Sequence, residues 1–340
     1  MAVDITQKIT AQNRAKAAKW QQLVQRELSC LEDYLKNSLN SEDTLIQTAA
    51  LGLIEAGGKR IRPAFAYLAG RIWGADRDSL LPLLAALELI HTGSLVHDDI
   101  IDKATLRRGK PTVSYVHGPA AALYVGDFLI GRALELVSVY QNERVDVSLN
   151  RTVLQMCLGE LKQEKDFFRL SQTPHDYFGR IRRKTALLFA GSCECGAALA
   201  GATDEQVNAL WRFGYNLGLA FQIIDDLLDL LADEETIGKP AGNDLRQGNL
   251  SLPVILALRE AEGEQLAAAI RGIEQGEAEA LPRALELVRK SAGPEMAAKT
   301  ARRFLDKAAA DLQPLPNCRE KQALSSAMQD FIAQIDRLMR

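Results

Sequence analysis

The sequence predicts an all-α fold, a single large helical bundle, on three observations. Ala, Leu, Glu, Arg and Gln dominate the chain, and all five favour helix. No strand-length run alternates strictly between apolar and polar residues with turns at its ends. Glycine and proline cut the chain into apolar-periodic segments of helical length.

The breaks fall, in order, at Gly57-Gly58, Gly74, Gly109 to Pro111, Gly118-Pro119, Pro174, Gly201, Gly238 to Gly242, Pro282, Gly293-Pro294 and Pro314 to Pro316. Roughly ten or more helices lie between them. About the first forty residues read as an N-terminal helical extension packing outside the central bundle. The helices beyond Gly276 are amphipathic and poor in chemistry. No linker rich in Gly, Ser or Pro separates the parts, so residues 1–340 are expected to form one domain.

The composition excludes several classes. A formal charge of −3 gives no reason to expect nucleic acid. Cys193 and Cys195 stand too close for the usual zinc spacing, and Cys30, Cys157 and Cys318 are scattered. A reducing cytoplasm is therefore expected. Met1 to Trp20 is polar and basic, without the apolar core of a signal peptide. No apolar stretch is expected to span a bilayer, which leaves at most peripheral membrane contact.

Two aspartate clusters carry the chemistry. Asp98-Asp99-Ile100-Ile101-Asp102 and Asp225-Asp226-Leu227-Leu228-Asp229 share one spacing, and each sits in an apolar run. On a helix, Asp at i and i+4 share a face, and the i+1 Asp points about 100° away. A solvated helix face would explain one such cluster. Two copies among Leu and Ile point to cations, since buried like charges repel and raise each other's pKa. Mg²⁺ takes oxygen ligands and keeps waters and substrate phosphates in its shell, so two facing clusters would form a Mg²⁺–phosphate site.

Basic groups alternate with the acids. Lys59, Arg60 and Arg62 follow Gly57-Gly58, where backbone N–H groups can approach an anion. Arg107 and Arg108 follow the first cluster, and Arg can grip phosphate bidentately. Lys184-Thr185, Gln222, Lys239 and Asp244 complete the set. His91 lies two turns before Asp98 on the same face, as a core histidine or a phosphate contact.

These segments in this order resemble the trans-prenyltransferases, the head-to-tail isoprenyl diphosphate synthases. The resemblance runs from about Glu55 to Pro253, and loosely to the C-terminus. It implies the isoprenoid synthase fold, an all-α bundle around a deep central cavity, and a homodimer. It also implies condensation of isopentenyl diphosphate with an allylic diphosphate. Asp98, Asp99, Asp102, Asp225, Asp226 and Asp229, with Asp244 through water, would hold about three Mg²⁺ ions on the allylic diphosphate. Arg107, Lys184, Thr185, Gln222 and Lys239 would contact that group. Lys59, Arg62, His91 and Arg108 would bind isopentenyl diphosphate. Lys184 joins Asp98, Asp99, Asp102, Asp225 and Asp226 in the implied catalytic set, and the released diphosphate would remove the proton. Asn249 departs from the pattern, because many members carry a lysine there.

Gly93 and Ser94 lie about one turn, roughly 5.4 Å, below the metals, where short-chain members place aromatics. Both are small, so the floor is expected to be open there, with Ile90 and Leu134 as deeper candidates. Gly93 could instead permit close helix packing. The open floor predicts a long-chain product of about seven to nine isoprene units (about C35–C45), with geranylgeranyl or farnesyl diphosphate as the competing product. The catalytic subunit of a heterodimeric synthase, a terpene cyclase and a squalene-type synthase would each share part of this pattern. The second complete cluster and the two basic motifs argue against the cyclase and the squalene-type enzyme.

Overall fold

The structure, a computed structural model, describes residues 19–231 and 241–339. Its helices are α1 (Lys19–Ser38), α2 (Thr44–Glu55), α3 (Ile61–Arg71), α4 (Arg77–Ile101), α5 (Val113–His117), α6 (Pro119–Ser138), α7 (Glu143–Asp166) and α8 (Pro174–Ile181). A π-helical turn, Arg182–Ala186, leads into α9 (Leu187–Leu199) and α10 (Asp204–Leu231). Then follow α11 (Asn243–Arg246), α12 (Leu252–Ala257), α13 (Gly263–Glu274), α14 (Ala280–Lys290), α15 (Gly293–Leu312) and α16 (Arg319–Leu338).

Local chemistry sets most boundaries. Asp43, Asp76 and Thr173 cap α2, α4 and α8 with side-chain acceptors, and Pro119, Pro174 and Pro294 open helices where a missing N–H costs nothing. The break between α6 and α7 has neither Gly nor Pro. Gln141 takes a left-handed φ of 47° there, and Asn142 caps Val145 N. The one departure from all-helix among the described residues is a hairpin of β1 (Leu106–Arg107) and β2 (Lys110–Pro111), too short to show as alternation.

Two expectations need correction. The N-terminal helix does not lie outside the bundle over its described part: Trp20, Val24, Leu31 and Leu35 are buried in the common core. An aromatic series runs from Trp20 through Phe65, Phe189 and Phe221 to Phe331 at ring separations of 5.5, 6.0, 5.3 and 5.8 Å, tying α1, α3, α9, α10 and α16 together. Secondly, α4 is long and apolar enough to cross a membrane by length and composition. However, 67% of its apolar window is buried in the protein, and its C-terminal end carries Asp98 and Asp99, as befits a core helix.

Candidate active site

Helix α4 carries the first cluster at its C-terminal end. Asp98 and Asp99 are buried, and Asp102 caps the helix. Lys184 reaches across from the π-helical turn to Asp98 Oδ2 at 3.1 Å, and also to Glu160 Oε2 on α7 at 3.0 Å. Burial opposes the charge on Lys184, but the two carboxylates push it up to about 12. Burial, then Asp98, pushes Glu160 up to about 7 against the pull of Lys184. Arg107 Nε donates to Asp99 Oδ1 at 2.7 Å. Burial raises both Asp99 and Asp102 above the ordinary carboxylate value, with Arg107 and Lys184 opposing.

The hairpin turns Arg107 and Arg108 back over this end. Arg108, at a left-handed φ of 51°, donates to Gly57 O and so closes the glycine loop onto the cluster. Arg62 lies 4.8 Å above the Phe189 ring, and its buried Nε has no acceptor. Burial pulls it down to about 10, with Glu88 and Asp225 opposing. His91 is half-buried, and burial together with Arg62, Arg108, Arg107 and Arg60 holds its ring well below the usual imidazole value, hence neutral. Lys59 is exposed on a cavity of about 330 Å³ shared with Ile61, Phe221 and Asp225. A larger cavity, about 750 Å³, lies elsewhere, between Arg144, Arg182, Trp211 and Tyr215, and holds none of the candidate residues.

The second cluster ends α10. Asp225 is exposed, whereas Asp226 and Asp229 are buried. Asp226 accepts from Tyr177 Oη at 2.6 Å and from Gln222 Nε2 at 2.9 Å, and Thr185 Oγ1 donates to Gln222 at 2.7 Å. Burial pushes Asp226 up to about 6 against these donors. Asp229 accepts from the backbone N–H groups of Asn243 and Asp244, which folds the following loop back over the cluster.

This donor set suits a hard divalent cation. All candidate ligands are carboxylate oxygens, and Asp98 Oδ1 is a buried acceptor with no protein donor. Among the described residues no three His, Cys, Asp or Glu side chains gather closely enough to hold a metal by themselves. Such an ion would need further oxygens from water or phosphate, the coordination that Mg²⁺ favours.

The polyprenyl synthetase family model matches residues 43–288. The chain belongs to the polyprenyl synthetase family. Heptaprenyl diphosphate synthase component 2 of Geobacillus stearothermophilus is 43% identical over 290 residues, spanning 85% of this chain and 90% of its own. Octaprenyl diphosphate synthase of Escherichia coli is 35% identical over 307 residues, 90% of this chain and 95% of its own. A polyprenyl synthase of Caulobacter crescentus, solved with calcium and isoprenyl diphosphate, superposes with a TM-score of 0.86 at 34% identity, over 95% of this chain and 99% of that one. The all-α isoprenoid synthase fold is thus confirmed, in a prenyltransferase family that uses divalent metal.

Within this synthetase the structure corrects one chain-length expectation. A Cβ on Gly93 would lie 2.9 Å from Ile130 Cγ1 and 3.0 Å from Gly126 O. Gly93 therefore serves close packing of α4 on α6 and does not open a floor. Ser94 is half-buried, with its hydroxyl on His91 O, while Ile90 is buried in the core and Leu134 half-buried. Asn249 holds a buried Oδ1 without a donor, beside the loop that closes on Asp229. Lys239 lies outside the described residues.

Sequence reasoning missed Glu160 and Tyr177 as members of the site's frame, and it grouped Arg60 with the anion-facing cations Lys59 and Arg62. Glu160 lies beside the buried Met156, Gly159 and Gln163 of α7, a polar residue flanking the inward face, which was the available signal. Arg60 is buried and pairs with Glu88 of α4 and Glu32 of α1. It thus supports Arg62 and the glycine loop from behind.

Proposed function

We propose that this synthetase adds isopentenyl diphosphate head to tail to an allylic diphosphate and repeats the addition to about C35–C45. The observation that carries the reading is Lys184 at 3.1 Å from Asp98, which brings a cation onto the first acidic cluster. Asp98, Asp99 and Asp102 on one side, and Asp225, Asp226, Asp229 and Asp244 on the other, would hold Mg²⁺, about three ions with substrate. The ions would supply Lewis-acid neutralisation of the departing diphosphate.

The chain's own groups do the rest. Lys184, Arg107, Thr185 and Gln222, with Lys239, orient the allylic diphosphate. Arg62, a desolvated cation, gains strongly from a phosphate partner, and Arg108, Lys59 and neutral His91 add donors for isopentenyl diphosphate. Apolar walls exclude water from the allylic cation, and the isopentenyl double bond attacks it. Heptaprenyl, octaprenyl and solanesyl synthases among the relatives support the long product, with Ser94, Ile90 and Leu134 as length-setting residues.

The exposed Val147, Leu154, Leu158 and Leu161 form a stripe along α7, and Leu123 and Tyr124 are exposed on α6. We assign it to pairing with a second copy. A second reading, pairing with an unlike subunit, is favoured by two relatives named component 2, at 43% and 38% identity. All five cysteines are free, which supports a cytoplasmic enzyme.

The test is product analysis of the purified protein alone, with Mg²⁺, labelled isopentenyl diphosphate and farnesyl diphosphate. A ladder ending well beyond about C20 supports the self-sufficient long-chain reading, and a stop near C20 overturns the product length. No product from a monomer favours the missing unlike subunit.

A further inference from the structure

Lys184 is held from two sides. Asp98 lies on α4 and Glu160 on α7, so one ammonium ties the two helices together at a pair of neighbouring carboxylates. The fold makes room for this arrangement at Gly159. A Cβ there would sit 2.9 Å from Arg183 Cβ and 3.6 Å from Lys184 N, so glycine lets the π-helical turn lie directly on α7. That contact brings Lys184 against the next residue, Glu160, whose side chain is only 15% exposed.

The two carboxylates are not equivalent. Asp98 is a candidate metal ligand with a free buried oxygen, whereas Glu160 has Lys184 as its hydrogen-bonded cation. A lysine on a flexible four-carbon stem, with Asp98 as its sole anchor, would screen the acidic cluster or swing to solvent once Asp98 turned to a cation. A second anchor on α7 prevents both. We propose that Glu160 is a positioning residue, retaining Lys184 beside Asp98 so that its ammonium meets the allylic diphosphate. This inference rests on the prenyl-transfer reading above.

Glu160→Gln keeps the shape and removes the charge, and Glu160→Asp draws the carboxylate back by one methylene. Calorimetric binding of inorganic pyrophosphate with Mg²⁺ is expected to weaken about tenfold in Glu160→Gln. The KM for the allylic diphosphate should rise about tenfold, with that for isopentenyl diphosphate within about twofold of wild type. Glu160→Asp should recover part of the loss. In a Lys184→Ala background, Glu160→Gln should add less than about a twofold effect, because the residue it positions is gone. An equal loss with and without Lys184, or an equal rise in both KM values, overturns the proposal. Wild type that elongates beside an indistinguishable Glu160→Gln overturns the role of Glu160 alone. Wild type that elongates neither alone nor with an unlike subunit overturns the prenyl-transfer reading, and the pyrophosphate titration of the variants still decides Glu160.

Discussion

The Tyr177 hydroxyl donates to Asp226 Oδ2 at 2.6 Å, with 1% of the tyrosine and 4% of the aspartate exposed. This bond joins α8 to the second acidic cluster, and Thr185 and Gln222 close the circuit on the far side of the π-helical turn. Tyr177→Phe leaves a buried carboxylate oxygen without its donor. It is expected to cost about 1–3 kcal/mol in denaturant unfolding and to lower turnover more than isopentenyl diphosphate binding. Wild-type stability in the variant would show that the bond contributes nothing.

Arg60 is the second frame residue. Arg60→Ala strands Glu88 in the core without its cation and frees Glu32 of α1. A loss of about 3–5 kcal/mol is expected in urea unfolding. Arg60→Met with Glu88→Leu should recover most of it, and failure of that pair would mean that the charge itself is required.

Gly93 separates packing from product length. Gly93→Ala is expected to lower stability by about 1–3 kcal/mol, since the new methyl meets Ile130 and Gly126 O, and to leave the product ladder unchanged. Ser94→Phe is expected to shorten the ladder. Shorter products from Gly93→Ala at wild-type stability would restore the open floor.

The acidic site makes the metal-free protein sensitive to alkali. Burial raises Glu160 to about 7 and Asp226 to about 6, above their unfolded values of about 4. The folded chain therefore binds these protons more tightly than the unfolded one. Their stabilisation is full below pH of about 4 and is lost as pH rises through about 6–7. Metal-free protein should melt about 3–5 °C lower at pH 8 than at pH 5, and Mg²⁺ with pyrophosphate should reverse the loss at pH 8. A melting temperature that rises over this range would contradict the buried-carboxylate account.

Cysteine labelling tests the pairing surface. Cys157 is exposed within the apolar stripe of α7, whereas Cys193 and Cys195 are buried thiols that burial raises well above the ordinary value. Thiolate reagents should label Cys157 rapidly only in dilute, dissociated protein, and Cys193 and Cys195 only after unfolding. Equal labelling of Cys157 in the assembled and dissociated protein would remove this stripe from the interface.

The sequence alone determined the helical class, the two acidic clusters and the basic segments between them. Helix periodicity and Gly–Pro punctuation are local, and repeated acid in apolar runs announces itself without coordinates. Only the tertiary structure decided which groups meet. Lys184 finds Asp98 across 86 positions, and Tyr177 finds Asp226 across 49, because a π-helical turn and a glycine seat bring separate helices together. Glu160 and the inward role of Arg60 were illegible for the same reason: a charged residue declares its purpose only through the partner that folding places opposite it. The role of Gly93 was likewise undecidable along the chain, since a missing Cβ means open space or close packing according to the helix that faces it.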